Sequence, residues 1–340
     1  SVPRIWELDR VGIYRKVNED GGIKKALFTF FVGVGKIHSL FLTMMKGLLP
    51  QFRKRSRILD ILMSFFPLLV FTPLKLLGDL LVFGKIRNKL GGRFKFGVSG
   101  AGALPPYVDN FFAAAGILLL EGYGLTEAAP IVSVRKWNMP VPGTIGPPLP
   151  EVEVKILDPE GNELPPGQKG VLYVRGPNVM KGYYRKPEET ALVLSDDGWL
   201  NTGDLAKSTV RGELKIMGRV KETIVLLGGE NVEPGPIEDT LSQSDYIDQA
   251  VVLGQDQKYL GTLIVPNFEK LEEFARKAGI NYRKPEDLTD DTVIAELMRE
   301  EINEKISLKR GFKAFERIFR FKLLNKPFEA GREMTNTLKL

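Results

Sequence analysis

The alternation of apolar and polar residues between positions 94 and 120 is the feature that most restricts the fold. Phe94, Phe96 and Val98 alternate with other residues as in a half-buried strand, and the apolar run at 117–120 suits a strand buried on both faces. Between them, two adjacent prolines open a predicted helix over about 105–115, since proline is tolerated in a first helical turn. This strand–helix–strand order predicts an α/β fold.

Each of these predicted strands ends in a segment of small residues. The first runs into SGAG (99–102), and the second runs into EGYGLTE (121–127). Ligands of open parallel sheets bind beyond the carboxyl ends of the strands. We therefore expect both segments to contribute to one site.

The whole chain has 340 residues, which is more than a single hydrophobic core usually serves, so two or more domains are expected. Beyond residue 150 the sequence pattern changes twice. Within residues 151–217, short segments of alternating apolar and polar residues are separated by turns, which predicts a small antiparallel β subdomain. Beyond 218, strand-like and helical segments mix, and 292–306 carries one apolar helical face. We predict an N-terminal domain over 1–217, with a helical region at 26–93 and an α/β part at 94–150, and an α+β C-terminal domain over 218–340.

The run ILMSFFPLLVFTPL (61–74) is the most apolar part of the helical region. Its 14 residues are fewer than the roughly 20 of a spanning helix, and Pro67 and Pro73 interrupt it. We predict that it does not span a membrane. Two alternatives stay open: a helix in the membrane interface with its basic flanks on lipid headgroups, or a buried helical hairpin with a solvated basic face.

Charge is divided unevenly along the chain. Residues 1–98 carry a net charge of +12, so the remainder carries −6 out of a total of +6. A basic segment of this size suggests an anionic partner. Because no zinc-finger spacing, helix-turn-helix pattern or RNP-type motif accompanies the charge, membrane phospholipid fits better than nucleic acid.

The inventory of reactive side chains excludes several chemistries. The chain has no cysteine and one histidine, His38, which lies in the apolar region. A disulfide framework, a thiolate metal site, a cysteine nucleophile and Ser–His catalysis are therefore excluded. Any chemistry must use carboxylates, lysine, arginine and backbone amides.

The segment GYGLTE (122–127) is the first candidate site. Gly122 and Gly124 would let the backbone turn sharply and approach a ligand. Tyr123 offers a flat face on which a base can stack, while Thr126 and Glu127 offer oxygens suited to a Mg²⁺-bound phosphate. The alternative is an ordinary strand-to-loop turn.

Three further segments carry candidate residues. Asp204, in GWLNTGDLA (198–206), could accept hydroxyls of a ribose, or it could form an Asx turn. Arg219 follows a predicted strand, and Gly228–Gly229 forms a turn that could equally be a hairpin. Lys339 is the terminal candidate, although an exposed lysine by itself means little.

Taken together and in this order, these motifs resemble the adenylate-forming superfamily, and most closely its long-chain fatty-acid–CoA ligases. The likeness covers essentially the whole chain and includes KIRNKLGGRFKFGVSGAGALPP, GYGLTEAAPIVS, GTIGPPLPEVEVKI, NTGDLA, GENVEP and TNTLKL. The resemblance implies a large adenylate-forming domain followed by a small mobile C-terminal domain. It also implies ATP and Mg²⁺ as cofactors, with a long-chain fatty acid and coenzyme A as substrates.

The resemblance implies a role for each candidate residue. In the nucleotide site, Gly100 and Ala101 would line the adenine pocket with Tyr123, Thr126 would touch phosphate and Glu127 would hold Mg²⁺. Asp204 would bind the ribose, and Arg219 would bind ribose or phosphate next to an interdomain hinge at Gly218–Arg219. Lys339 would contact the reacting carboxylate and the α-phosphate. Gly228–Gly229 would move toward the thiol tunnel.

Two departures from that family qualify the resemblance. A phosphate loop of the form TSGTTGxPKG is absent, so we expect a chain truncated at both ends that is inactive alone. Leu338 precedes Lys339 where many relatives have glycine. Transfer to an acyl-carrier protein and a non-catalytic membrane-surface protein remain as alternatives, and the expected location is cytoplasmic, at the inner face of a membrane.

Overall fold

A computed structural model describes residues 2–328 of the protein. The chain divides into two compact units between Met217 and Gly218. The fold is α/β with several small sheets, as the sequence predicts. Each unit is described by itself below.

The first unit begins with long helices. They are α1 (Val2–Asp20), α2 (Gly22–Lys46), α3 (Arg57–Gly78) and α4 (Gly84–Lys89), the last two joined by a π-helical turn at Asp79–Phe83. Gly47 ends α2 in the left-handed conformation that glycine adopts readily. Arg57 at the start of α3 donates to the Met44 carbonyl at 2.8 Å and so joins the two helices.

Helix α3 corrects the prediction of an interrupted segment. Pro67 and Pro73 lie inside one continuous helix, which α4 extends to Lys89. Each proline removes one backbone donor, but lengthwise packing against α2 holds the helix through both positions. By length and composition, α2 and the 33-residue helix at 57–89 are each able to cross a bilayer, since each contains an 18-residue stretch with a mean hydropathy of 1.5 and 1.8, respectively.

A three-stranded sheet follows and carries the first candidate segments. Strand β1 (Phe96–Ser99) pairs in parallel with β2 (Leu118–Leu125), and α5 (Pro106–Ala114) connects them, as predicted. Strand β3 (Ala128–Val134) returns antiparallel to β2. The core between this sheet and the helices is rich in phenylalanine: Phe28, Phe31, Phe83, Phe111 and Phe112.

The predicted antiparallel subdomain is present as a four-stranded sheet. Its strands are β4 (Glu153–Leu157), β5 (Gly170–Arg175), β6 (Leu200–Ser208) and β7 (Leu214–Arg219), in spatial order, with the short helix α6 (Pro187–Ala191) between β5 and β6. Alternate residues of β5 are buried, which matches the predicted period of two.

The second unit is the α+β part. A two-stranded hairpin of β8 (Ile224–Val225) and β9 (Asn231–Val232) precedes α7 (Pro234–Leu241). A sheet in the order β10 (Ile247–Leu253), β11 (Leu260–Pro266) and β12 (Ile318–Leu323) packs with α8 (Phe268–Ala278) and α9 (Thr292–Lys305). Helix α9 buries Ile294, Met298 and Ile302 on the predicted face.

Candidate nucleotide site

The carboxyl end of β1 meets β2 at Glu121, directly after the apolar run, and β2 itself continues to Leu125. Ser99 lies opposite Glu121 in the parallel register. A Cβ added to Gly100 would lie 3.4 Å from the Gly122 carbonyl oxygen, so the two small-residue segments are in contact. Ala101 has a φ of 62°, which is uncommon for a residue other than glycine and often marks a functional segment.

The segment GYGLTE forms a β-hairpin. Residues through Leu125 belong to β2, and Thr126 with Glu127 make the two-residue turn into β3. The expectation that the backbone turns sharply at both glycines is therefore wrong. A Cβ on Gly124 would lie 1.8 Å from the Pro130 carbonyl oxygen, so Gly124 is needed for the close approach of β3. A Cβ on Gly122 would lie 3.6 Å from its nearest neighbour, the Ser133 carbonyl oxygen, which is an ordinary contact distance.

Gly124→Ala is expected to destabilise the first unit by about 1–3 kcal/mol, because the added methyl group overlaps backbone that cannot rotate away. Gly122→Ala is the matched control and should change the free energy of unfolding by less than about 0.5 kcal/mol. Urea unfolding followed by tryptophan emission measures both changes. Equal destabilisation by the two substitutions would contradict the packing explanation.

A hydrogen bond joins the hairpin to the four-stranded sheet. The Tyr123 hydroxyl donates to the Asp204 carboxylate, across 81 residues of sequence. Asp204 is only 4% exposed and lies in β6. The predicted tight turn around it is instead an irregularity within the strand, where Gly203 has a φ of 69° and the Asp204 amide donates to the Thr202 hydroxyl. The structure thus brings together the predicted base-stacking and ribose-binding residues.

Glu127 stands at the tip of the hairpin with partners from the segment after β5. Its carboxylate accepts a hydrogen bond from the Tyr183 hydroxyl at 2.9 Å, and its carbonyl oxygen accepts one from the Met180 amide at 2.7 Å. This hydrogen bond to Glu127 raises the pKa of Tyr183 above its ordinary value. Thr126 beside it is exposed.

The hairpin offers a magnesium ion the carboxylate of Glu127. Within residues 2–328 there is no group of three or more His, Asp or Glu side chains arranged to hold a metal. Mg²⁺ commonly binds through one or two carboxylates together with substrate phosphates and water. The partly buried Glu127 carboxylate, fixed by Tyr183 through one of its oxygens, fits a nucleotide-borne Mg²⁺ and does not form a resident metal site.

A buried ionic network behind the site escaped the sequence analysis. Arg135, 2% exposed, contacts Glu121 and Asp109 at 3.0 Å each and donates to the carbonyl oxygens of Leu119 and Thr144. Burial raises the pKa of Glu121, and the Arg135 charge opposes that rise. The sequence does contain one indication of this network, because Glu121 directly follows the apolar run at 117–120. A charged residue in such a buried position is uncommon unless its charge is paired.

That network reaches the predicted adenine-pocket segment. The Glu121 carboxylate accepts a hydrogen bond from the Leu104 amide at 2.8 Å. The loop that begins at Gly100 is therefore fixed at its far end, Leu104, to the middle of β2. Glu121 is a positioning residue for the site.

The second unit holds the remaining described candidates. Arg219 is exposed at the end of β7, and its carbonyl oxygen accepts hydrogen bonds from the amide and hydroxyl of Thr223. Gly228 and Gly229 form the turn between β8 and β9, where Gly229 has a φ of 85°, so the hairpin alternative describes their local structure. Lys339 lies outside the described residues.

The chain matches known proteins over both units. Residues 10–184 match the AMP-binding enzyme family, and residues 221–286 match the AMP-binding enzyme C-terminal domain. The chain belongs to the AMP-binding enzyme family. The resemblance to adenylate-forming enzymes is thereby confirmed.

Two curated relatives from Arabidopsis thaliana share substantial identity with the chain. The chloroplastic long-chain-fatty-acid–[acyl-carrier-protein] ligase AEE15 is 38% identical over 80% of this chain and 40% of its own length. The peroxisomal long chain acyl-CoA synthetase 7 is 32% identical over 92% of this chain and 42% of its own length. The chain therefore spans about two fifths of each relative.

A solved structure agrees with the fold. MatB from Rhodopseudomonas palustris, determined with ATP bound, is 27% identical, with a TM-score of 0.52 over 69% of this chain and 42% of that protein. The ATP belongs to that protein. The likeness supports the adenylate-forming architecture predicted from the sequence.

Proposed function

We propose that the protein activates a long-chain fatty acid with ATP and transfers the acyl group to the thiol of coenzyme A. In the first step a carboxylate oxygen bonds to the α-phosphorus, and the bond to pyrophosphate breaks. In the second step the thiol sulfur bonds to the acyl carbon, AMP leaves and the thiol proton passes to solvent. The Tyr123–Asp204 hydrogen bond at the end of β2, in a chain of this family, is the observation that carries the proposal.

The first unit would hold the nucleotide. The Tyr123 ring would stack on adenine beside Gly100 and Ala101, while the Asp204 carboxylate would accept the ribose hydroxyls. Thr126 would donate its hydroxyl to a phosphate oxygen, and Glu127 would hold the magnesium that accompanies ATP. A bound Mg²⁺ supplies charge neutralisation on the phosphates.

The second unit would place a cationic side chain at the reacting groups during the first step and move it away for the second step. Attack of a carboxylate on a phosphate brings anions together, so cations are needed where charge accumulates. We assign the role of this cation to Lys339, and we propose that Arg219 binds ribose or phosphate. Rotation about Gly218–Arg219 would remove Lys339 and bring Gly228–Gly229 toward the thiol. The division of the chain between Met217 and Gly218 supports this hinge position.

A carrier-protein acceptor is the second candidate. The relative named as an acyl-carrier-protein ligase is 38% identical, and the one named as an acyl-CoA synthetase is 32% identical. Adding each acceptor separately to preformed acyl-adenylate distinguishes them. AMP release with coenzyme A supports the proposal, whereas release only with carrier protein assigns the second candidate.

Fatty-acid-dependent ATP–pyrophosphate exchange by the natural full-length protein tests the activation step. A series of acids of increasing chain length is expected to show exchange that rises with length toward long chains. Preference for short or aromatic acids would overturn the substrate class and leave adenylation intact. Absence of exchange and of ATP binding in a fluorescence titration would instead favour the non-catalytic alternative.

A further inference from the structure

Helix α3 buries several polar residues and exposes most of its apolar ones. The stripe that is buried contains Asp60, Ser64, Leu68, Lys75 and Gly78. This stripe faces α2, because a Cβ added to Gly78 would lie 2.8 Å from the Phe31 ring of α2. A helix on the surface of a water-soluble protein has the opposite arrangement.

The outward side of α3 is a continuous apolar surface. Its central line consists of Ile58, Leu62, Leu69 and Leu76, whose side chains are 71%, 65%, 63% and 65% exposed. At 3.6 residues per turn, the exposed apolar residues span an arc of about 200° around the axis. We call this arc the α3 apolar face; it is completed by Leu59, Ile61, Met63, Phe65, Phe66, Val70 and Leu77.

Positive charge borders the α3 apolar face at both ends. Arg53 and Lys54 precede it, and Lys85, Lys89 and Arg93 follow it, all exposed. The acidic residues between 26 and 96 are Asp60 and Asp79.

Both acids are already neutralised within the fold. Asp60 pairs with Arg55, while Asp79 pairs with Lys75 at 2.7 Å and with Arg87 at 2.5 Å. The surface around the apolar face is therefore cationic. That combination is complementary to an anionic lipid surface.

The segments before and after α3 are hydrogen-bonded to other parts of the first unit. Before the helix, the carbonyl oxygens of Gly47 and Gln51 accept hydrogen bonds from the Arg211 side chain at 2.7 Å and the Val210 amide at 2.8 Å. After the helix, Arg87 donates to the Ala115 carbonyl at 2.8 Å. A helix anchored at both ends lies along its unit, so a bilayer would meet it side-on.

We propose that the α3 apolar face binds in the plane of an anionic membrane surface, with its hydrocarbon side chains among the acyl chains and the flanking cations at the headgroups. The inference does not depend on the proposed function. If that function also holds, the same surface would place the enzyme where long-chain fatty acids partition.

Vesicle cosedimentation of the protein tests the proposal. Wild-type protein should bind vesicles of phosphatidylcholine with phosphatidylglycerol, and more weakly at higher salt. Leu62→Glu/Leu69→Glu should reduce the partition coefficient at least about tenfold. Leu192→Glu/Leu227→Glu is the matched control, since it adds the same charge at residues 80% and 73% exposed elsewhere, and should change binding less than about twofold.

A second pair of measurements separates the ionic from the apolar contribution. Arg53→Ala/Lys54→Ala should lower binding to anionic vesicles by about fivefold per removed cation and leave binding to pure phosphatidylcholine unchanged. Circular dichroism and thermal melting confirm that each variant is folded. Absence of wild-type binding, or equal binding by the Leu62→Glu/Leu69→Glu variant, would overturn the proposal.

Depth measurements test the in-plane orientation. The chain has no cysteine, so spin labels can be placed singly through Ile58→Cys, Leu69→Cys and Leu76→Cys. Ile58 and Leu76 lie 18 positions apart on one line, about 27 Å along the axis. Equal immersion of all three labels supports the proposal. A spanning helix would place the label at 69 far deeper than the other two, and aqueous labels at all three positions would exclude membrane insertion; either result overturns it.

Discussion

Asp204→Ala is expected to reduce fatty-acid-dependent ATP–pyrophosphate exchange by about 100-fold to 1,000-fold in the full-length protein. The carboxylate is buried and accepts a hydrogen bond from Tyr123, so it is fixed before the nucleotide arrives. Removing a preorganised charged acceptor from a desolvated site typically produces a loss of this size. The exchange rate at saturating fatty acid and varied ATP provides the measurement.

Tyr123→Phe is the control for a purely structural role of Asp204. It removes the hydroxyl that donates to Asp204 but keeps the aromatic face and the carboxylate, so exchange should fall less than about tenfold. A loss equal to that of Asp204→Ala would mean that the hydrogen bond between the two residues matters, and not the carboxylate itself.

Deoxynucleotides supply a readout that a structural role would not change. Wild-type protein should discriminate against 2′-deoxyATP or 3′-deoxyATP, because the carboxylate would lose its hydroxyl partner. Asp204→Ala should lose most of that discrimination in the exchange that remains, because alanine offers the ribose hydroxyls no acceptor. If the variant discriminates as strongly as wild type, Asp204 does not bind the ribose.

The parts of this fold that follow from local patterns could be predicted. The alternation over 94–98 predicts the strand β1 but not its inward side, since Gly97 and Ser99 are buried while Phe96 and Val98 are exposed. The prolines at the start of α5 and the apolar run at 117–120 predict the rest of the strand–helix–strand unit, because each is a property of neighbouring residues. The four-stranded sheet and α9 follow in the same way. The site could be placed because the ends of parallel strands share one edge of a sheet.

The parts that depend on distant contacts could not be predicted. Nothing in GYGLTE indicates that Gly124 meets the Pro130 backbone, since that contact requires β3 to return along β2. The Tyr123–Asp204 bond joins two sheets that are separate in sequence. Helix α3 shows the same limit, because packing on α2 overrides the tendency of Pro67 and Pro73 to end a helix.

Arg135→Met is expected to destabilise the first unit by about 3–5 kcal/mol. The substitution keeps an apolar side chain of similar length but leaves two buried carboxylates, Glu121 and Asp109, without their cation. Removing one partner of a buried ionic network has this effect, because the remaining charges are neither solvated nor paired. The hydrogen bonds to Leu119 and Thr144 are lost as well.

The free energy of unfolding can be measured for the first unit alone. The three tryptophans, Trp6, Trp137 and Trp199, all belong to it, so tryptophan emission during urea unfolding reports that unit. Lys186→Met is the matched control, since it removes a cation whose ion pair with Glu189 lies at the surface. Such pairs contribute about 0–1 kcal/mol, so the control should be near neutral.

The pH dependence of the stability lost in Arg135→Met tests whether the unpaired carboxylates, Glu121 and Asp109, cause it. Because burial raises the pKa of Glu121 above its ordinary value of 4.5, this carboxyl contributes stability that is present below pH 4.5 and lost as the pH rises through the folded-state pKa. Arg135 opposes that rise, so its removal should destabilise the unit more at pH 8 than at pH 4, which lies below the ordinary pKa of Glu121. A loss that is the same at both pH values would place its origin in the missing backbone hydrogen bonds. In that case Arg135 would act as a packing and hydrogen-bonding residue, and the Leu104 anchor on Glu121 would survive its replacement.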